Sequence, residues 1–169
     1  MRKSHVIPTL LAGLFLVAAF AVCAPARAGP LQDAARAGDT AAVGQLLAGG
    51  ADVDGRDPGL NTALHWAADN GHLAVVRLLL EAGADIDAGD VDETTPLNRA
   101  VRGKHADIVR FLIDSGADVN LLETTGIGPL DDAVRFGLSD IAAMLRAAGA
   151  RCGTNHEFSR NCREAEAQN

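Results

Sequence analysis

The run from Thr62 to Asp87, TALHWAADNGHLAVVRLLLEAGADID, carries the pattern that decides the fold. Its closing Gly83-Ala84-Asp85 also stands at Gly50-Ala51-Asp52 and at Gly116-Ala117-Asp118, and Gly149-Ala150 follows with Arg151 in place of the acid. Every step is 33 residues. Leu31, Leu64, Leu97 and Leu130 keep the same period, as do Ala34, Ala67, Ala100 and Ala133. An unbroken period of this length marks stacked units that each touch only their neighbours. Such an array points to a binding scaffold rather than a pocket enzyme.

Within a unit the residue types follow from helix physics. Thr62 and Thr95 offer a hydroxyl to cap a helix start. Pro96 and Pro129 suit a first helical position, where a missing N–H costs little. Ala67 and Ala68 let two helices approach closely, and Gly71 permits the left-handed backbone that ends the first of them. Val75, Val76, Leu78, Leu79 and Leu80 make most sides of a second helix apolar, as burial between neighbours requires. Gly83 closes that helix and Asp85 starts a turn. The spacing predicts helices near 31–37, 42–48, 62–70, 74–81, 95–102, 107–114, 129–136 and 139–147. Lys104 stands where Gly71 and Gly137 stand, so a one-residue adjustment of that turn is expected.

The second unit closely resembles the ankyrin repeat, whose pattern runs T-P-L-H, A-A, G-H, V-V, L-L-L and G-A-D-V-N. The resemblance covers Leu31 to about Cys152. It implies an all-α fold, an ankyrin-repeat solenoid of four helix-turn-helix units with short projecting β-hairpin loops. The units fall at about 29–56, 57–89, 90–122 and 123–152. Both ends depart from the pattern. The first unit begins Gly29-Pro30-Leu31-Gln32 without a threonine, with Arg36, Asp39 and Gln45 to solvate its outer face. The fourth has Gly128 for the threonine, Asp131 for the histidine and Arg151 for the turn aspartate.

In ankyrin proteins the loops and first helices line a concave face where partners dock. Carried over position by position, that face comprises Asn61, Trp66, Asp69 and Asn70 from the second unit and Val91, Asp92, Thr94, Arg99 and Arg102 from the third. The fourth supplies Leu122, Thr124, Ile127, Asp132, Arg135 and Phe136, with Arg36 and Arg56 from the first. Trp66, Leu122 and Phe136 have the character of binding anchors, although Trp66 equally suits packing between units. Leu121 and Leu122 at a loop tip are expected to form an exposed apolar patch. His65, His72 and His105 are expected to brace turns, and Asp131-Asp132 to favour a helix dipole.

Arg2 and Lys3, the apolar run from Leu10 to Val22, and Ala26-Arg27-Ala28 read as an export signal cleaved after Ala28, with a retained anchor as the rival. Cleavage removes Cys23 and leaves Cys152 and Cys162, an even pair that favours a disulfide in an exported chain. A metal site from Cys152, His156 and Cys162 is the competing reading, and no metal or other cofactor is expected. The tail 153–169 is expected to be closed by the disulfide as a lid packed through Phe158, then frayed. Removing Arg2, Lys3 and Arg27 takes the formal charge from −7 to −10, which disfavours nucleic acid as a partner. No apolar run after residue 30 is long enough to span a bilayer.

Nucleophile-elbow, phosphate-loop and zinc-protease signatures are missing. The expectation is a monomeric, non-catalytic protein of the bacterial periplasm, or a secreted one, that binds a protein partner. An inhibitor or immunity role and a stress-protection role are open within it. A redox factor or enzyme using Cys152 and Cys162, or a structural spacer, are the alternatives.

Overall fold

A computed structural model describes residues 29–155, 157 and 159–167. The export-signal reading of residues 1–28 and the roles considered for His156 and Phe158 lie outside the described residues. Four helix pairs follow one another: α1 (Pro30–Ala37) with α2 (Thr40–Ala48), α3 (Ala63–Asp69) with α4 (Leu73–Glu81), α5 (Pro96–Arg102) with α6 (Ala106–Asp114), and α7 (Pro129–Arg135) with α8 (Ser139–Ala147). A short α9 (Arg160–Glu166) comes last. The first helices stack in one row, α1–α3–α5–α7–α9, and the second helices in another, α2–α4–α6–α8. No helix among the described residues is long and apolar enough to cross a membrane.

The core is the sequence period made solid. Leu64, Leu97 and Leu130 are fully buried in the first-helix row, with Ala67, Ala100 and Ala133 beside them. Val43, Val76 and Val109 are equally buried in the second-helix row, as are Leu79, Leu112 and Leu145. Each helix pair has too little apolar area to hold alone, so burial between neighbours supplies most of the stability.

Two expectations change. Among the described residues the tail is helical around the second cysteine: α9 packs on α7, about where a fifth unit would place its first helix. The turn at Lys104 does not shift. Lys104 keeps the left-handed backbone, φ 62°, that Gly38, Gly71 and Gly137 adopt at the same position. Its neighbour explains the tolerance. A Cβ added at Gly38 or Gly71 would strike the ring of His72 or His105 in the next unit, whereas Leu138 holds that place opposite Lys104.

The loops between units fold back as tight hairpin turns, each closed by a cross-turn bond, and none of the described residues is in a regular strand. Asp57 N–H donates to the Asn61 carbonyl, Asp90 to Thr94 and Glu123 to Ile127, at 3.0, 3.1 and 3.0 Å. Neighbouring turns are joined as well, Val91 N–H to the Gly59 carbonyl and Thr124 N–H to that of Asp92.

Candidate partner-binding surface

Each projecting turn begins at an acid that the sequence reading did not single out, Asp57, Asp90 and Glu123, one per 33-residue step, and the first two organise their turns. Asp57 Oδ1 accepts the N–H groups of Gly59 and Asn61, both at 2.9 Å. Asp90 Oδ1 accepts those of Asp92 and Thr94 at 2.9 and 3.0 Å. The second carboxylate oxygen then binds the first helix of the same unit. Trp66 Nε1 donates to Asp57 Oδ2 at 3.0 Å, and one step later Arg99 Nη2 meets Asp90 Oδ2 at 2.6 Å. Burial pushes both carboxyls up, but the bonds from Asn61, Trp66 and Gly59 outweigh it at Asp57, and those from Arg99, Asp92 and Thr94 at Asp90. Both titrate below the ordinary range.

The fourth unit inverts this arrangement. Asp132 occupies the position of Trp66 and Arg99, so acid would face acid at Glu123. Arg102 from the third unit bridges them, 2.7 Å from Glu123 and 2.6 Å from Asp132. Burial would lower the Arg102 value, but Glu123 and Asp132 raise it. Burial also pushes Asp132 up, and the opposing pull of Arg102 does not cancel that, with the negative charge of Glu123 raising it further. Asp131 and Asp132 are 2% and 0% exposed. They are therefore not a solvated pair held merely by a helix dipole.

The histidines brace turns as expected. His65 Nδ1 accepts from the Thr62 N–H at 3.1 Å, and Nε2 lies 2.9 Å from the Thr94 carbonyl, so the proton sits on Nε2. Burial holds this imidazole below its ordinary value. His72 and His105 reach back to the carbonyls of Arg36 and Asp69 at 3.1 and 3.0 Å.

The predicted face thus divides. Thr94 and Ile127 are buried in the turns, and Asp132 is buried in α7. Asn61, Trp66, Arg99 and Arg102 are half-buried and committed to internal bonds, with the Arg36 guanidinium 4.9 Å from the Trp66 ring centroid. Arg56 spans to the Gly89 carbonyl at 2.7 Å. Leu121 and Leu122 are half-buried rather than an open patch, and a Cβ at Gly128 would press on the Leu122 side chain. Asp69 is half-buried, whereas Asn70, Asp92, Thr124 and Arg135 are exposed. Among the described residues, the large apolar groups that reach solvent most are Val91, 63% exposed, with Leu60 and Phe136 at 43% each. Leu60 went unnoticed in the sequence because its exposure follows from a left-handed turn, φ 60°, that no leucine signals. A cleft of ≈ 250 Å³ lies away from this face, between α6 and α8.

The C-terminal segment takes the place of a fifth turn. Asp131 holds the position of Gln32, His65 and Asn98, but its Oδ2 accepts N–H bonds from Gly128 and Gly153, both at 2.8 Å. Thr154 and Asn155 donate their N–H groups to the Gly126 carbonyl, and the Asn155 amide reaches the Thr125 carbonyl at 2.8 Å. Cys152 and Cys162 are bonded, tying this linker to α9.

A family model for ankyrin repeats, in three copies, matches residues 14–90, 31–123 and 86–156. No curated protein matches the chain.

Proposed function

We propose, from the premise that the chain belongs to the ankyrin-repeat family, that it is a non-catalytic scaffold binding a protein partner through its turn tips and first helices. Ankyrin repeats generally mediate protein–protein interaction. The observation that supports this use here is the contrast within the surface. The carboxylates of Asp57, Asp90 and Glu123 are spent on internal bonds, while Leu60 and Val91 stand out at adjacent tips with Asp92 and Glu93 beside them. Exposed apolar groups on a rigid, hydrogen-bonded frame are what a partner desolvates at little ordering cost.

The protein acts in the bacterial periplasm or as a secreted chain after cleavage following Ala28, and inhibition or protection of another exported protein is the finer role. The basic start, the apolar run and the paired cysteines support export. Affinity capture from a periplasmic extract tests the binding role, with the chain from Gly29 as bait beside Leu60→Ser/Val91→Ser. A partner held by the native bait and lost by the variant supports it. Equal capture moves the surface away from the tips, and no capture from native extracts counts against a scaffold. The mass of the purified chain tests the cleavage site.

A further inference from the structure

Three side chains that play no part in the turn tips meet beneath the C-terminal segment. Asp131 comes from the first turn of α7, Cys152 from the linker after α8, and Cys162 from α9. One Asp131 carboxylate oxygen and the two sulfurs lie within 4.8 Å of one another. Asp131 is 2% exposed and Cys162 1%, while Cys152 is half-buried. Asp131 Oδ2 is satisfied by two N–H groups, but Oδ1 has no hydrogen-bond partner. A bare, buried carboxylate oxygen is costly and calls for a physical reason. The other units hold neutral side chains here, Gln32, His65 and Asn98, so the acid is particular to the unit that joins the cysteines.

We propose that, with the disulfide reduced, Asp131, Cys152 and Cys162 form a site for a thiophilic divalent cation of the Zn(II) class. Two sulfurs and one carboxylate oxygen are ligand types such an ion takes in tetrahedral geometry, with water completing the set on the open side of Cys152. A carboxylate beside two thiols opposes their ionisation. A dication reverses that balance, holds both sulfurs deprotonated and gives the buried carboxylate a counter-charge. The Cα atoms of the cysteines are 5.8 Å apart, which lets both sulfurs reach one ion at about 2.3 Å by side-chain rotation.

The chemistry balances in two steps. A thiolate of a dithiol reductant attacks Cys152 Sγ, the more open sulfur, and Cys162 Sγ leaves with the bonding pair and takes a proton. The second thiol of the reductant then displaces Cys152, closing the reductant's own disulfide. The chain has gained two electrons and two protons. Cation binding releases the two thiol protons. The last segment is then fastened to α7 by a covalent bond in the oxidised chain and by a metal in the reduced one. This inference does not rest on the partner-binding reading.

The test is titration with Co(II) of the full chain, reduced with a phosphine under argon and freed of reductant. The oxidised chain, Asp131→Asn and Cys152→Ser are compared with it. The expected result is one Co(II) per reduced chain with a thiolate-to-cobalt charge-transfer band, displaced by Zn(II). The band is absent from the oxidised chain and from Cys152→Ser, and binding by Asp131→Asn is weaker by about tenfold or more. Zn(II) also raises the unfolding temperature of the reduced native chain and leaves that of the oxidised chain unchanged. A reduced native chain without the band or the temperature rise overturns the proposal, as does an Asp131→Asn chain that binds as tightly as the native one.

Discussion

Arg102 Nε reaches Asp132 Oδ2 at 2.6 Å across the boundary between the third and fourth units, and Asp132 stands where Trp66 and Arg99 stand earlier in the array. The same guanidinium serves Glu123, so one cation holds two buried acids. Removing it leaves Glu123 without its paired cation and Asp132 with only the coulombic pull of Arg135. For a fully buried pair such a loss costs about 3–5 kcal/mol. Because 33% of the Arg102 side chain meets water, Arg102→Ala is expected to cost about 2 kcal/mol. Urea unfolding measures it, and Arg102→Ala/Asp132→Asn should recover part of the loss. A loss unchanged in the double variant would show that Asp132 is not what Arg102 supports.

His65 gives the array a pH dependence. Burial lowers its value first, against the opposing pull of the Thr94 carbonyl and Asp90. The folded chain therefore takes up this proton less readily than the unfolded chain. Its contribution is complete above about 6.5, the ordinary imidazole value, and is lost as pH falls through the lower folded value. Unfolding free energy is expected to decline from pH 7 to 5. The decline should flatten in His65→Gln, which borrows the residue of the first unit, Gln32. An equal slope in both chains removes His65 as its source.

The helices were legible because each depends on local signals repeated in register: a cap, small residues, a glycine and an apolar stripe. The internal bonds of the turns were not. Asp57 and Asp90 keep the period and each reaches nine residues on, but to an indole at Trp66 and a guanidinium at Arg99, while Glu123 pairs 21 residues back with Arg102 of the preceding unit. No repeated residue type announces such pairs. The helix α9 was missed for a related reason. It is polar, lacks the Thr-Pro-Leu start and begins at Arg160, two residues before the period would place it. Its order depends on α7 rather than on its own sequence.

Lys104 records a compromise between neighbouring units. A non-glycine residue in the left-handed region costs about 1–2 kcal/mol, and glycine gives back about 0.5–1 through chain entropy. Lys104→Gly is therefore expected to stabilise by about 0.5–1 kcal/mol. Leu138→His should be poorly tolerated alone, since its ring would press on the Lys104 Cβ as His105 would on a Cβ at Gly71. Together the two changes should cooperate, because the new ring regains the backward reach to a carbonyl that His72 and His105 make. Additive melting shifts would refute the pairing.

The closing segment should be separable from the array it covers. The disulfide joins residues 10 apart, and closing a loop of that size stabilises by about 3 kcal/mol if unstrained. A seven-residue helix such as α9 does not hold alone in water. Without the bond, packing on α7 and the hydrogen bonds around Gly126 and Asp131 must keep it in place. Cys162→Ser is expected to speed amide exchange and trypsin cleavage at Arg160 and Arg163 while α1 to α8 keep their helical signal. Gly153→Ala should do the same with the cysteines intact, since an added Cβ would land on the Gly126 carbonyl and the Asp131 carboxylate. If neither variant loosens residues 153–167, α9 is held by packing and the covalent tie is not what fastens it. If both lower the melting of the whole array, the segment is part of one cooperative fold rather than a separable cover.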